Sequence, residues 1–157
     1  MRNNPQEYAK KVENHLKYLV RRNNDVLYEH GGYTVLMDKG EESFKRCIEY
    51  LYNAKALEKF KSTDTVRIVV PDKLDLQDKP DELIKEIREK FPEKKIEFNF
   101  VFILPKPEMI VILMLLDDKG KNCSIRDNLL NEAFLYLGIS VKKSKGKEFC
   151  LYLTFSD

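Results

Sequence analysis

Apolar residues at the front of the chain recur at helical spacing. Tyr8, Val12, Leu16, Leu19 and Val20 follow Asn4-Pro5 and Glu7, an N-cap, first-turn proline and capping-box pattern that predicts a helix over residues 5–22. Gly31-Gly32 and Gly40 punctuate a long loop, 23–39, and the stripe of Phe44, Cys47, Ile48 and Leu51 then predicts a second helix over 41–54. Thr65-Val66-Arg67-Ile68-Val69-Val70 reads as a short strand stopped by Pro71. After it, Leu83, Ile84, Ile87 and Phe91 share one helical face closed by Pro92. Ile96, Phe98, Phe100 and Phe102 alternate with Glu97, Asn99 and Val101, the period of a half-buried strand. Residues 109–116 are apolar nearly all round and predict a buried helix. Asp127 is placed to cap a helix over 128–137, with Gly138 just past its end. Segments 138–141 and 149–155 flank a basic turn and predict a terminal hairpin. Helices first, then helix and strand, then helix and hairpin, is the order of an α+β fold with a mostly antiparallel sheet.

Composition narrows this picture. A chain of 157 residues suits one domain, 1–157, with a single core. Apolar residues make up 43% and charged residues 34%, and the net charge is +2, so nothing global draws the chain to polyanions. The start runs directly into an amphipathic segment with no apolar signal region, and no apolar run is long enough to span a bilayer, so the expectation is a cytoplasmic chain, neither secreted nor transmembrane. Cys47, Cys123 and Cys150 are odd in number and lie in or beside apolar segments, as reduced thiols do.

Two stretches resemble one family. Asn4-Pro5-Gln6-Glu7-Tyr8-Ala9-Lys10-Lys11-Val12-Glu13 resembles the opening helix of the unsecreted eukaryotic branch of the CAP superfamily, the cysteine-rich secretory, antigen-five and pathogenesis-related proteins. In that branch a glycine-acid step, here Gly40-Glu41, precedes a helix like the one carrying Phe44 and Leu51. Met109-Ile110-Val111-Ile112-Leu113-Met114-Leu115-Leu116-Asp117-Asp118 is similar to its apolar helix ending in two aspartates. Cys123-Ser124-Ile125-Arg126-Asp127-Asn128-Leu129-Leu130-Asn131 then stands where the family has a Gly-His-Arg segment and an Asn-Leu-Leu-Asn turn, and Phe134 and Leu137-Gly138-Ile139-Ser140-Val141 follow. The match is tightest over residues 108–141. It implies an α-β-α sandwich, a small antiparallel sheet flanked by helices.

The family's cleft holds two histidines and one or two glutamates, donors suited to a divalent metal. Here Val70-Pro71-Asp72-Lys73 and Ile125 occupy the histidine places, and His15 and His30 both come earlier in the chain. His15 reads as a partly buried helix residue and His30 as an exposed loop residue. Glu97 stands for the family's strand glutamate, so Glu97, Ile125 and Arg126 mark a vestigial cleft without metal or other cofactor. There is also no glycine-rich phosphate loop, no Gly-x-Ser-x-Gly elbow and no Cys-x-x-Cys pair. Cys123, near Lys119, Lys121 and Arg126, is the one candidate for an activated thiol, against the plainer reading of a loop thiol.

Binding is therefore the expected activity, and the chain reads as no enzyme. Lys142, Lys143, Lys145 and Lys147, with Lys119 and Lys121, form a candidate cationic edge for phosphate, anionic lipid or an acidic protein tail; the competing reading is a solvated turn. Tyr28, Tyr33, Leu36 and Met37 make the loop 23–39 too apolar to be idle, so it either packs over the domain's own helices or contacts a partner protein. The expected role is a non-catalytic component of an intracellular assembly, cytoskeletal or ciliary, that binds protein. The alternative is a protein of lipid or anionic membrane surfaces. Nucleic acid is disfavoured because the basic residues are not interleaved with aromatic ones.

Overall fold

A computed structural model describes residues 1–62, 85, 88–93, 95–102, 107–118, 124–144 and 147–155. The chain is α+β and packs as two compact units, Met1–Glu58 with Leu104–Leu130, and Lys59–Ile103 with Asn131–Asp157.

In the first unit, helix α1 (Pro5–His15) starts as its sequence predicts. The Asn4 side chain accepts from the Glu7 backbone N–H at 3.2 Å, and its Nδ2 donates to Glu7 Oε2 at 2.8 Å. The helix stops seven residues short of the expected end. Leu16–Tyr18 form one 3-10 turn, and Leu19–Arg22 become strand β1, which pairs antiparallel with β2 (Asp25–His30) in the register Leu19↔Tyr28 to Arg22↔Asp25. Cross-strand pairing overrides helical spacing here because Asn23, at φ +54, turns the chain tightly enough to bring the strands together.

The expected loop 23–39 is also corrected, to a meander. Gly31 and Gly32, at φ +62 and +83, make the two-residue turn from β2 to β3 (Tyr33–Met37), completing a sheet of order β1-β2-β3. Tyr28 and Met37 point inward and are 0% and 4% exposed, so the structure removes both from the candidate contact surface. Tyr33 and Leu36 remain exposed. Leu36 lies across from Leu27, which lies across from Val20.

Helix α2 (Glu41–Asn53) buries Phe44, Cys47 and Leu51 and packs along α1. Gly40, its N-cap, sits at φ +58, and a Cβ there would come 3.1 Å from Val26 Cγ1, so both conformation and space call for glycine. Helix α3 (Pro107–Leu116) is apolar as expected; it buries Met109, Ile112, Met114, Leu115 and Leu116 and packs against α2 and α4 (Ser124–Leu129).

Two adjacent aspartates end α3 and are both buried. Asp117 takes the left-handed conformation, φ +46, and its Oδ2 accepts from the Ile125 backbone N–H at 2.9 Å. The Asp118 carboxylate accepts from the backbone N–H groups of Asp38 and Lys39, the latter at 3.0 Å, and from Ser43 Oγ. One side chain thereby satisfies donors at the end of β3 and the start of α2.

In the second unit, β4 (Lys61–Ser62), β5 (Ile96–Phe102), β6 (Tyr136–Ser144) and β7 (Lys147–Phe155) form a sheet of order β4-β6-β7-β5. The terminal hairpin is present as expected and its second strand pairs antiparallel with 96–102; the short β4 runs parallel to β6. The helix expected over 128–137 is corrected to α4, which begins at Ser124 and ends at Leu129. Its early start is held by Asp117, a distant acceptor, and Asn131 Oδ1 then accepts from Ala133 N–H at 2.9 Å in a turn that competes with further helix. The expected strand 65–70 lies outside the described residues, as does most of the helix ending at Phe91.

Replacing Asp118 by alanine leaves three donors without their acceptor. Equilibrium urea unfolding is expected to show a loss of roughly 3 kcal/mol or more. Asp118→Asn, which keeps one acceptor oxygen, should lose less. A loss under about 1 kcal/mol for the alanine variant would contradict the role given to this carboxylate.

Candidate functional site

On α2, Arg46, Glu49, Tyr50 and Asn53 stand three, four and seven residues apart, so they share the face opposite the buried Phe44, Cys47 and Leu51. With Ala54 and, from α4, Arg126, they line an open cleft of about 520 Å³ in the first unit. That volume suits a side chain or a small ligand. The floor is made by stacking, with the Arg126 guanidinium carbon 4.7 Å from the Tyr50 ring centroid.

Arg126 is 5% exposed, yet its Nε and Nη1 have neither solvent nor a hydrogen-bond partner. A buried guanidinium with unmade bonds costs free energy, and such groups are completed by an ordered water, an ion or a ligand. Burial and the nearby Asp127 carboxylate raise the Tyr50 pKa above its ordinary value, against a smaller opposite pull from Arg126. The ring therefore stays a neutral phenol and serves as stacking platform and hydrogen-bond donor. The cleft thus offers two guanidinium groups, one carboxylate and a neutral aromatic wall.

A second cluster lies at the end of α1. Tyr28 O–H donates to His15 Nδ1 at 2.5 Å in the tautomer that carries its proton on Nε2. The His30 ring lies 5.2 Å from that of His15 and 4.1 Å from that of Tyr18. His15 is buried, as its helical position suggested, but His30 closes β2 and is half-buried, not exposed in a loop. This group joins α1 to the three-stranded sheet. Among the described residues no three His, Cys, Asp or Glu side chains are grouped to hold a metal ion.

The other expected residues fall as follows. Lys142 and Lys143 lie on β6 and Lys147 on β7, where Glu148 is the register partner of Lys143. Lys119, Lys121, Lys145 and Cys123 lie outside the described residues. Of the vestigial-cleft positions, Ile125 and Arg126 belong to the first unit, whereas Glu97, half-buried and opposite Thr154, belongs to the second. Arg46, Glu49, Tyr50 and Asn53 were missed by sequence reasoning. Their signal was a polar face with one tyrosine on an otherwise well-patterned helix, which reads equally as a solvated surface.

No family model, curated protein or solved structure matches this chain. The likeness to the CAP superfamily therefore rests on the residues quoted for it.

Arg126→Met keeps a long side chain against Tyr50 and removes the unpaired charge. The free protein is expected to be as stable as the parent or more so, by up to about 2 kcal/mol in urea unfolding. A marked loss would mean that the guanidinium is a structural tie. For His15, burial outweighs the attraction of Glu108 and, with His30 and Lys17, holds its pKa below the ordinary 6.5. The unfolded chain therefore binds a proton first as pH falls, and the His15 contribution to stability, full above about 6.5, is lost as pH falls through the folded value. Unfolding at pH 7.5 and pH 5.5 should show a steeper loss in the parent than in His15→Gln, and equal slopes would refute the assignment.

Proposed function

We propose that this chain is a non-catalytic binding module that captures an acidic segment of a protein partner in the cleft between α2 and α4. The observation that carries the reading is Arg126, which lines that cleft yet is 5% exposed, with two guanidinium nitrogens that have no hydrogen-bond partner. Arg46 adds a second cation and Tyr50 an aromatic wall, the residue types that dominate protein-binding hot spots. The quoted likeness to the CAP superfamily supports the same reading in one respect. Arg126 is the position where the arginine of its Gly-His-Arg segment persists while the histidine is replaced by Ile125. We extend this to a role in an intracellular assembly, cytoskeletal or ciliary, in which the domain supplies a docking site without chemistry.

Membrane-surface binding through the lysine hairpin, where Glu148 is the register partner of Lys143, is the alternative reading. Among the described residues no helix is long and apolar enough to cross a membrane.

Fluorescence anisotropy with a labelled, end-blocked glutamate-rich peptide tests the reading. Binding is expected with one peptide per chain, at least tenfold weaker in Arg126→Met, and fading only partly with salt because a buried charge is poorly screened. Unchanged affinity in Arg126→Met would sink the proposal. Binding to anionic vesicles that survives Arg126→Met but is lost when Lys142, Lys143 and Lys147 are replaced by glutamate would transfer the function to the hairpin.

A further inference from the structure

The charges around the cleft define its ligand more narrowly. Arg46 and Arg126 contribute two cations and Glu49 one anion, so the lining carries a single net positive charge. Asp127, next to Arg126 and exposed, makes its negative charge felt at the Tyr50 hydroxyl. The α2 C-terminus closes one end at Asn53 and Ala54, and helix C-termini carry partial negative charge. Its carbonyls already have donors: Gln6 Nε2 reaches Ala54 O at 2.8 Å, and Asn53 Nδ2 reaches Glu49 O at 2.9 Å. The cleft thus has one strong, desolvated cation at its floor and a mildly negative rim.

We infer that the cleft selects a carboxylate, the side chain of an acidic residue, over a phosphorylated one. This rests on the function proposed above. A carboxylate brings one charge and two acceptor oxygens, which suit planar guanidinium donors, and it sets less negative charge beside Glu49 and Asp127 than a phosphate does. A phosphorylated serine brings about 1.5 to 2 negative charges and three acceptor oxygens. The second charge finds Glu49 and the helix C-terminus close by, and among the described residues that line the cleft the one other cation, Arg46, is already engaged within the chain. Partners would therefore dock through aspartate or glutamate, and phosphorylation at the docking residue would not replace it.

Two end-blocked pentapeptides, four glycines around a central glutamate or a central phosphoserine, separate the outcomes. The readouts are titration calorimetry and the Arg126 Nε–H resonance in nitrogen-correlated spectra at pH 7.5. The glutamate peptide is expected to shift that resonance and to bind at least threefold more tightly than the phosphoserine peptide. Glu49→Gln, an exposed change that leaves the helix face intact, should raise affinity for the phosphoserine peptide several-fold and narrow or reverse the preference. Equal or tighter binding of the phosphoserine peptide by the parent chain, with the resonance still shifted, overturns the carboxylate preference and leaves the cleft as the docking site. If neither peptide moves the Arg126 resonance, the docking site itself is refuted.

Discussion

Much of the first unit hangs on two adjacent carboxylates at the end of α3. Asp118 gathers donors from the end of β3 and the first turn of α2, while Asp117 reaches forward to the first turn of α4. Buried carboxylates are tolerable only when their lone pairs are filled, and here backbone N–H groups that strand and helix ends leave over do the filling. The geometry is reciprocal. Without the aspartates, three element ends would lose the acceptors of part-buried donors; without those ends, two buried carboxylates would lose their hydrogen bonds.

The same corner builds the cleft. The Asp118 bonds to Lys39 and Ser43 fix the start of α2, whose outer face carries Arg46, Glu49 and Tyr50. The Asp117 bond to Ile125 fixes the residue beside Arg126 and leads that side chain onto the Tyr50 ring. Two residues outside the cleft thereby set the spacing between its walls. This is how a fold spends a saturated polar contact in one place to hold an unsaturated one in another.

How much of this was legible in the sequence follows from the range of each interaction. The start of α1, the bounds of α2 and α3 and the terminal hairpin rest on local signals: the Asn4-Glu7 box, Gly40, the apolar run before Asp117, and alternation in the last strands. Errors came where a distant partner decided. Leu19 and Val20 continue a helical stripe, but pairing with Tyr28 and Leu27 makes them strand; α4 starts early because Asp117, eight residues away along the chain, accepts from Ile125. Gly31-Gly32 was a readable hairpin signal, since paired glycines between apolar runs favour the mirror-image turn that strands require.

The cleft was the least legible part for a related reason. A motif is visible when its members sit close in sequence or when their types are rare, and Arg126 with Tyr50 satisfies neither condition. What marks Arg126 is the combination of burial with unmade hydrogen bonds, a property of the packed chain. Local patterns place Arg126 in a polar stretch ahead of the helix expected over 128–137, and only the family resemblance marked it as a cleft position. That this arginine is withdrawn from water without a carboxylate to meet it is a departure from the consistency that otherwise runs from local pattern to packing. Such departures concentrate at functional or strained sites.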